Sequence, residues 1–284
     1  MIAAAFALWT HMPAMAGETT MLEDSLASAW KGEGTVGYGA PSRADLDAME
    51  GVFVRLLRGV RGAALAREAL ALGWSVRTER RGAVAWTVVA ELRDRRGGRG
   101  LYAFADRGRH ALQAPHVPSD KLTGQILLEY ASDGLPRALA WNTVTRGRAD
   151  LAHLDGTYLI AFSRAFARVF PAEKIVQLHG FDAGRRRTTE AADSAAIVSA
   201  ARRDPPAELK SATRCMRCKV HPQTRLYGVD VLELGGTTNS VAAALRAAGY
   251  GGFVHLEMDL PLRQALAGDA GKRRALLACV GGSK

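Results

Sequence analysis

The chain has 284 residues, 48% of them hydrophobic. That is enough for one large α/β domain or two smaller ones around a sizeable core, and it excludes wholesale disorder. A formal net charge of +10 favours anionic partners: nucleic acid, anionic membrane, or an acidic polymer such as cell-wall material. Aromatic residues make up only 7%, and no basic stretch is interleaved with them. Neither a stacking platform for single strands nor a common nucleic-acid module is legible, so no specific nucleic-acid partner is expected.

Residues 1–16 contain no Lys, Arg, Asp or Glu, and Ala14-Met15-Ala16 has the small-residue pattern that precedes a signal-peptidase cut, without a positive n-region. The expectation is a signal peptide and an exported protein, periplasmic or secreted, or a cytoplasmic one if the segment is not a signal. No later run reaches membrane-spanning length, so stable membrane insertion is not expected. Residues 17–41 are polar and Gly-rich and read as a linker. Ser42 then reads as an N-cap, with Asp45 at N3 and Met49, Val52, Phe53, Leu56, Leu57 and Val60 at helical spacing. A second helical piece covers 63–72, and strand-like runs cover 84–92 and 101–105. Residues 42–108 thus form an N-terminal helical and β accessory layer whose sheet edges join the main domain.

From Arg109 onward strands and helices alternate. Strands are expected at 110–116, 137–144, 175–179, 229–234 and 253–258. Helices are expected at 122–131, 158–169, 188–203, 238–248 and 261–279, with 204–227 a basic loop insertion. This alternation predicts an α/β fold over 109–284: a mostly parallel or mixed sheet with helices on both faces, phosphorylase/hydrolase-like. Cys215, Cys218 and His221 make half of a zinc knuckle with no second pair to complete it. In an oxidising compartment Cys215 and Cys218 could close a small disulfide loop, and a decoration without function is the plainer reading.

Three of the strand runs end alike. Ala111-Leu112-Gln113-Ala114-Pro115-His116 and Ile175-Val176-Gln177-Leu178-His179 each close on a histidine, and Phe253-Val254-His255-Leu256-Glu257 closes on a carboxylate. The ends of strands in an α/β sheet are where such folds place their sites. Hydrolysis on zinc needs three protein ligands, one open position for water, and a carboxylate to carry the water's proton to the leaving amine. His116 and His179 are the candidate nitrogen ligands. Asp120, four residues after His116, is the third, with Glu129 in the following helix as its competitor. Asp120 reads equally well as an N-cap with Thr123 as partner. Glu257 is the candidate general base, His255 shares its strand face and could orient a ligand, and His153 could line the site. Arg263, six residues after Glu257, is a candidate clamp for a substrate carboxylate. Asn142 and Arg146 could face the same cleft, and the turn from Leu234 to Asn239 could hold an anion.

Gln113-Ala114-Pro115-His116 with Asp120, Gln177-Leu178-His179-Gly180 and His255-Leu256-Glu257 together resemble the zinc amidohydrolase and zinc carboxypeptidase-like superfamily, which includes N-acetylmuramoyl-L-alanine amidases and N-formylglutamate amidohydrolases. The resemblance covers about residues 109–280. It departs from the superfamily at position 119, a Ser where His-x-x-Glu would require Glu, and there is no Gly-His-Gly-Gly. The resemblance implies one Zn2+ ion and amide hydrolysis, without fixing a substrate. The leading expectation is therefore a zinc-dependent hydrolase of an amide or peptide bond. Its substrate would be an acidic or carboxylate-bearing small molecule or polymer, such as cell-wall peptide. The alternative is a non-catalytic module that binds an anionic polymer on the same scaffold.

Overall fold

The computed structural model describes residues 21–30, 37–117 and 119–282, so the expected signal segment lies outside the described residues. The strands are β1 (Trp74–Arg81), β2 (Val84–Glu91), β3 (Leu101–Phe104), β4 (Arg109–Ala114), β5 (Pro136–Trp141), β6 (Ile175–Gly180), β7 (Ala196–Ser199), β8 (Thr224–Leu226) and β9 (Phe253–Met258). They form a nine-stranded sheet in the order β1-β2-β3-β5-β4-β6-β9-β7-β8. The pairs β4/β5, β4/β6, β6/β9 and β7/β8 are parallel; β1/β2, β2/β3, β3/β5 and β7/β9 are antiparallel. The sheet is therefore mixed, with a parallel centre as expected.

Both faces are covered. On one lie α1 (Met21–Trp30), α4 (Thr123–Asp133), α7 (Ala207–Lys219), α9 (Leu260–Gly268) and α10 (Ala270–Gly281). On the other lie α2 (Arg43–Leu57), α3 (Ala63–Ala71), α5 (Tyr158–Val169) and α8 (Ser240–Ala247). The central strands divide their side chains between these two cores at a period of two. Val176 and Leu178 of β6, with Val254, Leu256 and Met258 of β9, enter the α4/α9 core. Gln177, His179, His255 and Glu257 alternate with them and point to the α5/α8 face. There Phe53, Tyr102, Phe104 and Phe162 pack with ring centroids 4.8 to 5.8 Å apart. Each fully buried side chain of this size contributes roughly 2–3 kcal/mol.

Helix starts follow their caps. Ser42 and Asp45 form a capping box at α2, Thr157 accepts from the Ile160 N–H at α5, and Asn239 accepts from the Ala242 N–H at α8. Residues 42–108 supply α2, α3 and the antiparallel strands β1 to β3, which continue the main sheet through the β3/β5 pairing.

Several elements differ from expectation. Residues 21–30, read as linker, form α1, whose Leu22 and Leu26 are fully buried. The helix expected over 188–203 is a single turn, α6 (Thr189–Ala192), followed by β7, because β-branched Ile197 and Val198 pack better on a pleated surface than their Ala-rich surroundings suggest. Pro206 does not stop a helix but serves as N-cap of α7, so the expected loop at 204–227 is a helix and a short strand. Residues 229–234 form turns with a lone Tyr227–Val231 bridge, and Val229 and Leu232 lie exposed. The last helix breaks at Asp269, which caps α10 by accepting from the Lys272 N–H. Cys215 pairs with Cys279, joining α7 to α10, while Cys218 is free and exposed. This corrects the Cys215–Cys218 expectation. Among the described residues, no helix is long and apolar enough to cross a membrane.

Candidate metal centre

The parallel strands β4, β6 and β9 bring the three strand ends together at one edge of the sheet. His179 and Glu257 are register partners on β6 and β9. His116 lies in the turn after β4, and that turn folds back so that the Asp120 N–H bonds the His116 carbonyl. His116 and His179 are 2% and 3% exposed and Asp120 is 8% exposed, too little for solvated polar groups. Buried polar groups must find partners, and here they find one another. His179 Nδ1 lies 3.1 Å from His116 Nδ1. Asp120 Oδ2 lies 3.3 Å from His116 Nδ1 and 3.5 Å from His179 Nδ1.

The outer nitrogens of both rings are committed elsewhere. His116 Nε2 faces Asp150 Oδ1 at 2.8 Å, and His179 Nε2 faces Gln177 Oε1 at 2.9 Å. A hydrogen bond donated from each Nε2–H to its oxygen would leave the two Nδ1 atoms as electron-pair donors for a cation at a common point. Oxygen partners of this kind orient histidine ligands and raise their basicity. The fit to a metal is quantitative. A tetrahedral centre with bonds of about 2.0–2.1 Å has ligand–ligand edges of about 3.3–3.4 Å, close to the three separations observed. Without a metal, a proton serves the same convergence. Burial opposes a charge on His116, but its hydrogen bonds to Asp120 and Asp150 outweigh burial and raise its pKa. Burial likewise opposes ionisation of Asp120, yet the adjoining His116 and His179 rings hold its carboxyl well below the usual range. Burial pushes His179 down to about 4.

Asp120 also accepts the Gly180 N–H at 3.0 Å. A Cβ on residue 180 would stand 2.5 Å from the Arg263 guanidinium, so only glycine lets β6 approach this closely. Arg263 itself departs from the expected substrate clamp. It is buried, and its guanidinium donates to the Asp259, Lys121 and Phe181 carbonyls. It ties the Asp120 turn to the end of β6, so its donors serve the backbone. Glu129, the competing third ligand, sits away from the site on α4, 3.5 Å from Arg81 and 3.9 Å from Arg273. Asp120 is not a helix cap either: the α4 N-cap is Leu122, and Thr123 bonds the backbone carbonyl of Asp120.

Glu257 is the carboxylate beside this trio. Its Oε2 is buried without a hydrogen-bond partner among the described residues, and burial together with the charge on Asp120 pushes its pKa up to about 8. The positive charges of Arg146 and Arg186 pull in the opposite direction. His255 lies under His179 with ring centroids 4.4 Å apart, and its Nε2 is 3.9 Å from Glu257 Oε1. Gly236, at φ +61°, leaves room for that ring, since a Cβ there would stand 2.7 Å from it. Among the described residues, three groupings could hold a cation: His116, Asp120 and His179; His179, His255 and Glu257; and His116, Asp150 and His153. The first has two histidines whose outer nitrogens each face an oxygen partner. In the third, Asp150 is engaged by Arg146 at 2.9 Å and His153 at 3.0 Å.

Asn142 donates to the Val144 carbonyl, and its Oδ1 is buried without a partner among the described residues. In the turn from Leu234 to Asn239, the Asn239 side chain caps α8. Sequence reasoning missed Asp150 and Gln177 as partners of the two histidines. The signal for Gln177 was present: it is a polar residue in an apolar run, two positions before His179 and hence on the same face.

No protein-family model matches the chain, and no curated protein matches it in sequence. Among solved structures, the chain is similar to an aspartoacylase family protein from Mesorhizobium loti. That likeness has 14% identity and a TM-score of 0.38, over 74% of this chain and 67% of the other.

Proposed function

We propose that the protein is a zinc-dependent hydrolase of an amide or peptide bond, with His116, Asp120 and His179 as the metal ligands and Glu257 as the general base. The observation that carries this reading is the convergence of His116 Nδ1, His179 Nδ1 and Asp120 Oδ2 within 3.5 Å, with each ring's other nitrogen tied to an oxygen. When bound, zinc supplies a water acidic enough to ionise near neutral pH and a Lewis acid for a carbonyl oxygen. The chain's own contribution is a proton acceptor in the right place. Glu257 Oε2, buried and unpartnered, takes a proton from water and returns it to the leaving amine. A proton affinity raised to about 8 lies near the range in which a carboxylate can do both.

Arg146 and Arg186 both act electrostatically on Glu257 and favour an acidic or carboxylate-bearing substrate, in line with the net charge of +10. The Cys215–Cys279 disulfide suits an oxidising compartment and so supports export. The test is amine release from N-acyl amino acids and muramyl peptides, acidic against neutral, by the zinc-loaded chain. Cleavage of acidic amides that disappears on chelation supports the proposal. No cleavage of any amide, or cleavage indifferent to chelation, contradicts it.

A further inference from the structure

The oxygen that faces His179 belongs to a buried hydrogen-bond chain leading away from the site. Gln113 and Gln177 are register partners on β4 and β6. Gln113, Gln177 and Ser163 are fully buried, and Asn239 is 2% exposed. The Ser163 hydroxyl donates to the Leu159 carbonyl at 2.6 Å. Gln113 Nε2 donates to Ser163 Oγ at 2.7 Å, and Gln177 Nε2 donates to Gln113 Oε1 at 2.9 Å. Asn239 Nδ2 donates to Gln177 Oε1 at 2.6 Å.

The direction of this chain is forced from both ends. A carboxamide can turn end for end, exchanging donor for acceptor, unless its neighbours forbid it. The Leu159 carbonyl can only accept, so it takes the single proton of Ser163, whose oxygen must then accept from Gln113. That turns Gln113 Oε1 toward Gln177 and requires Gln177 to present Nε2 there. At the other end, the Ala242 N–H can only donate, and it takes Asn239 Oδ1 at 3.0 Å. Asn239 must therefore present Nδ2 to Gln177. Two backbone groups on different helices thus demand the same result, with Gln177 Oε1 facing His179. An amide oxygen only accepts, so His179 Nε2 carries the proton and Nδ1 is left as a lone pair toward His116 and Asp120.

We propose that Gln177, held by Gln113, Ser163 and Asn239, is a positioning residue that selects the Nε2–H tautomer of His179 and thereby presents Nδ1 to a divalent cation. The consequence for cation binding rests on the metal reading above; the tautomer does not. The experiment is a long-range proton–nitrogen correlation spectrum of the metal-free, 15N-histidine-labelled chain at pH 7, paired with Zn2+ affinity by chelator competition. The wild-type chain should carry the His179 proton on Nε2. Gln177→Leu should populate the Nδ1–H form and weaken Zn2+ binding about 10- to 100-fold. Ser163→Ala, small and distant from the ring, removes one of the two constraints and should move both readouts less but in the same direction, with a modest loss of stability because Gln113 Nε2 loses its acceptor. A wild-type Nδ1–H tautomer overturns the inference, as does a folded Gln177→Leu with unchanged tautomer and Zn2+ affinity. An Nε2–H tautomer in a chain that takes up no Zn2+ upholds this inference and overturns the metal reading.

Discussion

Glu257 and His110 are both buried ionisable residues, and their surroundings give them different work. Glu257 stands beside the His116, Asp120 and His179 cluster, with one oxygen that has no hydrogen-bond partner among the described residues. Glu257→Gln keeps the shape but removes the proton acceptor, so turnover should fall by about 10²–10⁴ while Zn2+ binding persists; steady-state kinetics with a metal assay on the same sample checks this. His110 lies at the start of β4, with Nδ1 accepting the Lys174 N–H and Glu173 beside it. Burial, helped by Arg109 and Lys174 and opposed by Glu173, lowers its pKa from 6.5 to about 4. The unfolded chain therefore binds more protons between those values. His110's contribution is present in full above pH 6.5 and is lost as pH falls toward 4, on the order of 3 kcal/mol in total. Asn tolerates the φ of +59° found at this position. His110→Asn should accordingly flatten the dependence of unfolding midpoint on pH across that interval. At this scale, the strand-end positions of His116, His179 and Glu257 were legible because a polar residue closing an apolar run needs a reason. The choice between Asp120 and Glu129 was not, because it depends on which way a turn and a helix face. Arg263 was misread because its partners lie far off in sequence, at Lys121 and Phe181.

Elements whose pattern is local were read closely: α5, β9 and the start of α2 match their expected limits to within a residue or so. The misread ones depend on distant partners. β1, absent from the sequence reading, is a charged edge strand whose Glu79 Oε1 is engaged by Arg77 and by Ser25 of α1. β7 is short and Ala-flanked, and it is a strand because β8 and β9 lie on either side. The disulfide between α7 and α10 closes a sequence separation of 64 residues. By loop entropy such a link is worth about 4 kcal/mol, and typical measured values are about 2–4. Cys279→Ala should lose stability of that order in denaturant unfolding, whereas Cys218→Ser should change it by less than about 0.5 kcal/mol.

Across the whole molecule, the sheet buries both faces, and its polar side chains on the central strands collect on the α5/α8 side below one edge. A net charge of +10 and the arginines near Glu257 add a long-range attraction for anions. For an acidic amide, kcat/KM should decline as ionic strength rises, and for a neutral amide it should stay flat. Whether His116, Asp120 and His179 hold a Zn2+ ion is read by Zn2+ titration of the full chain, by stoichiometry and chelator competition. One ion per chain is expected, lost or greatly weakened in His116→Ala, Asp120→Ala and His179→Ala and retained in Glu257→Gln and Glu129→Gln. A chain that binds no Zn2+, or one whose binding survives all three alanine substitutions, would contradict it.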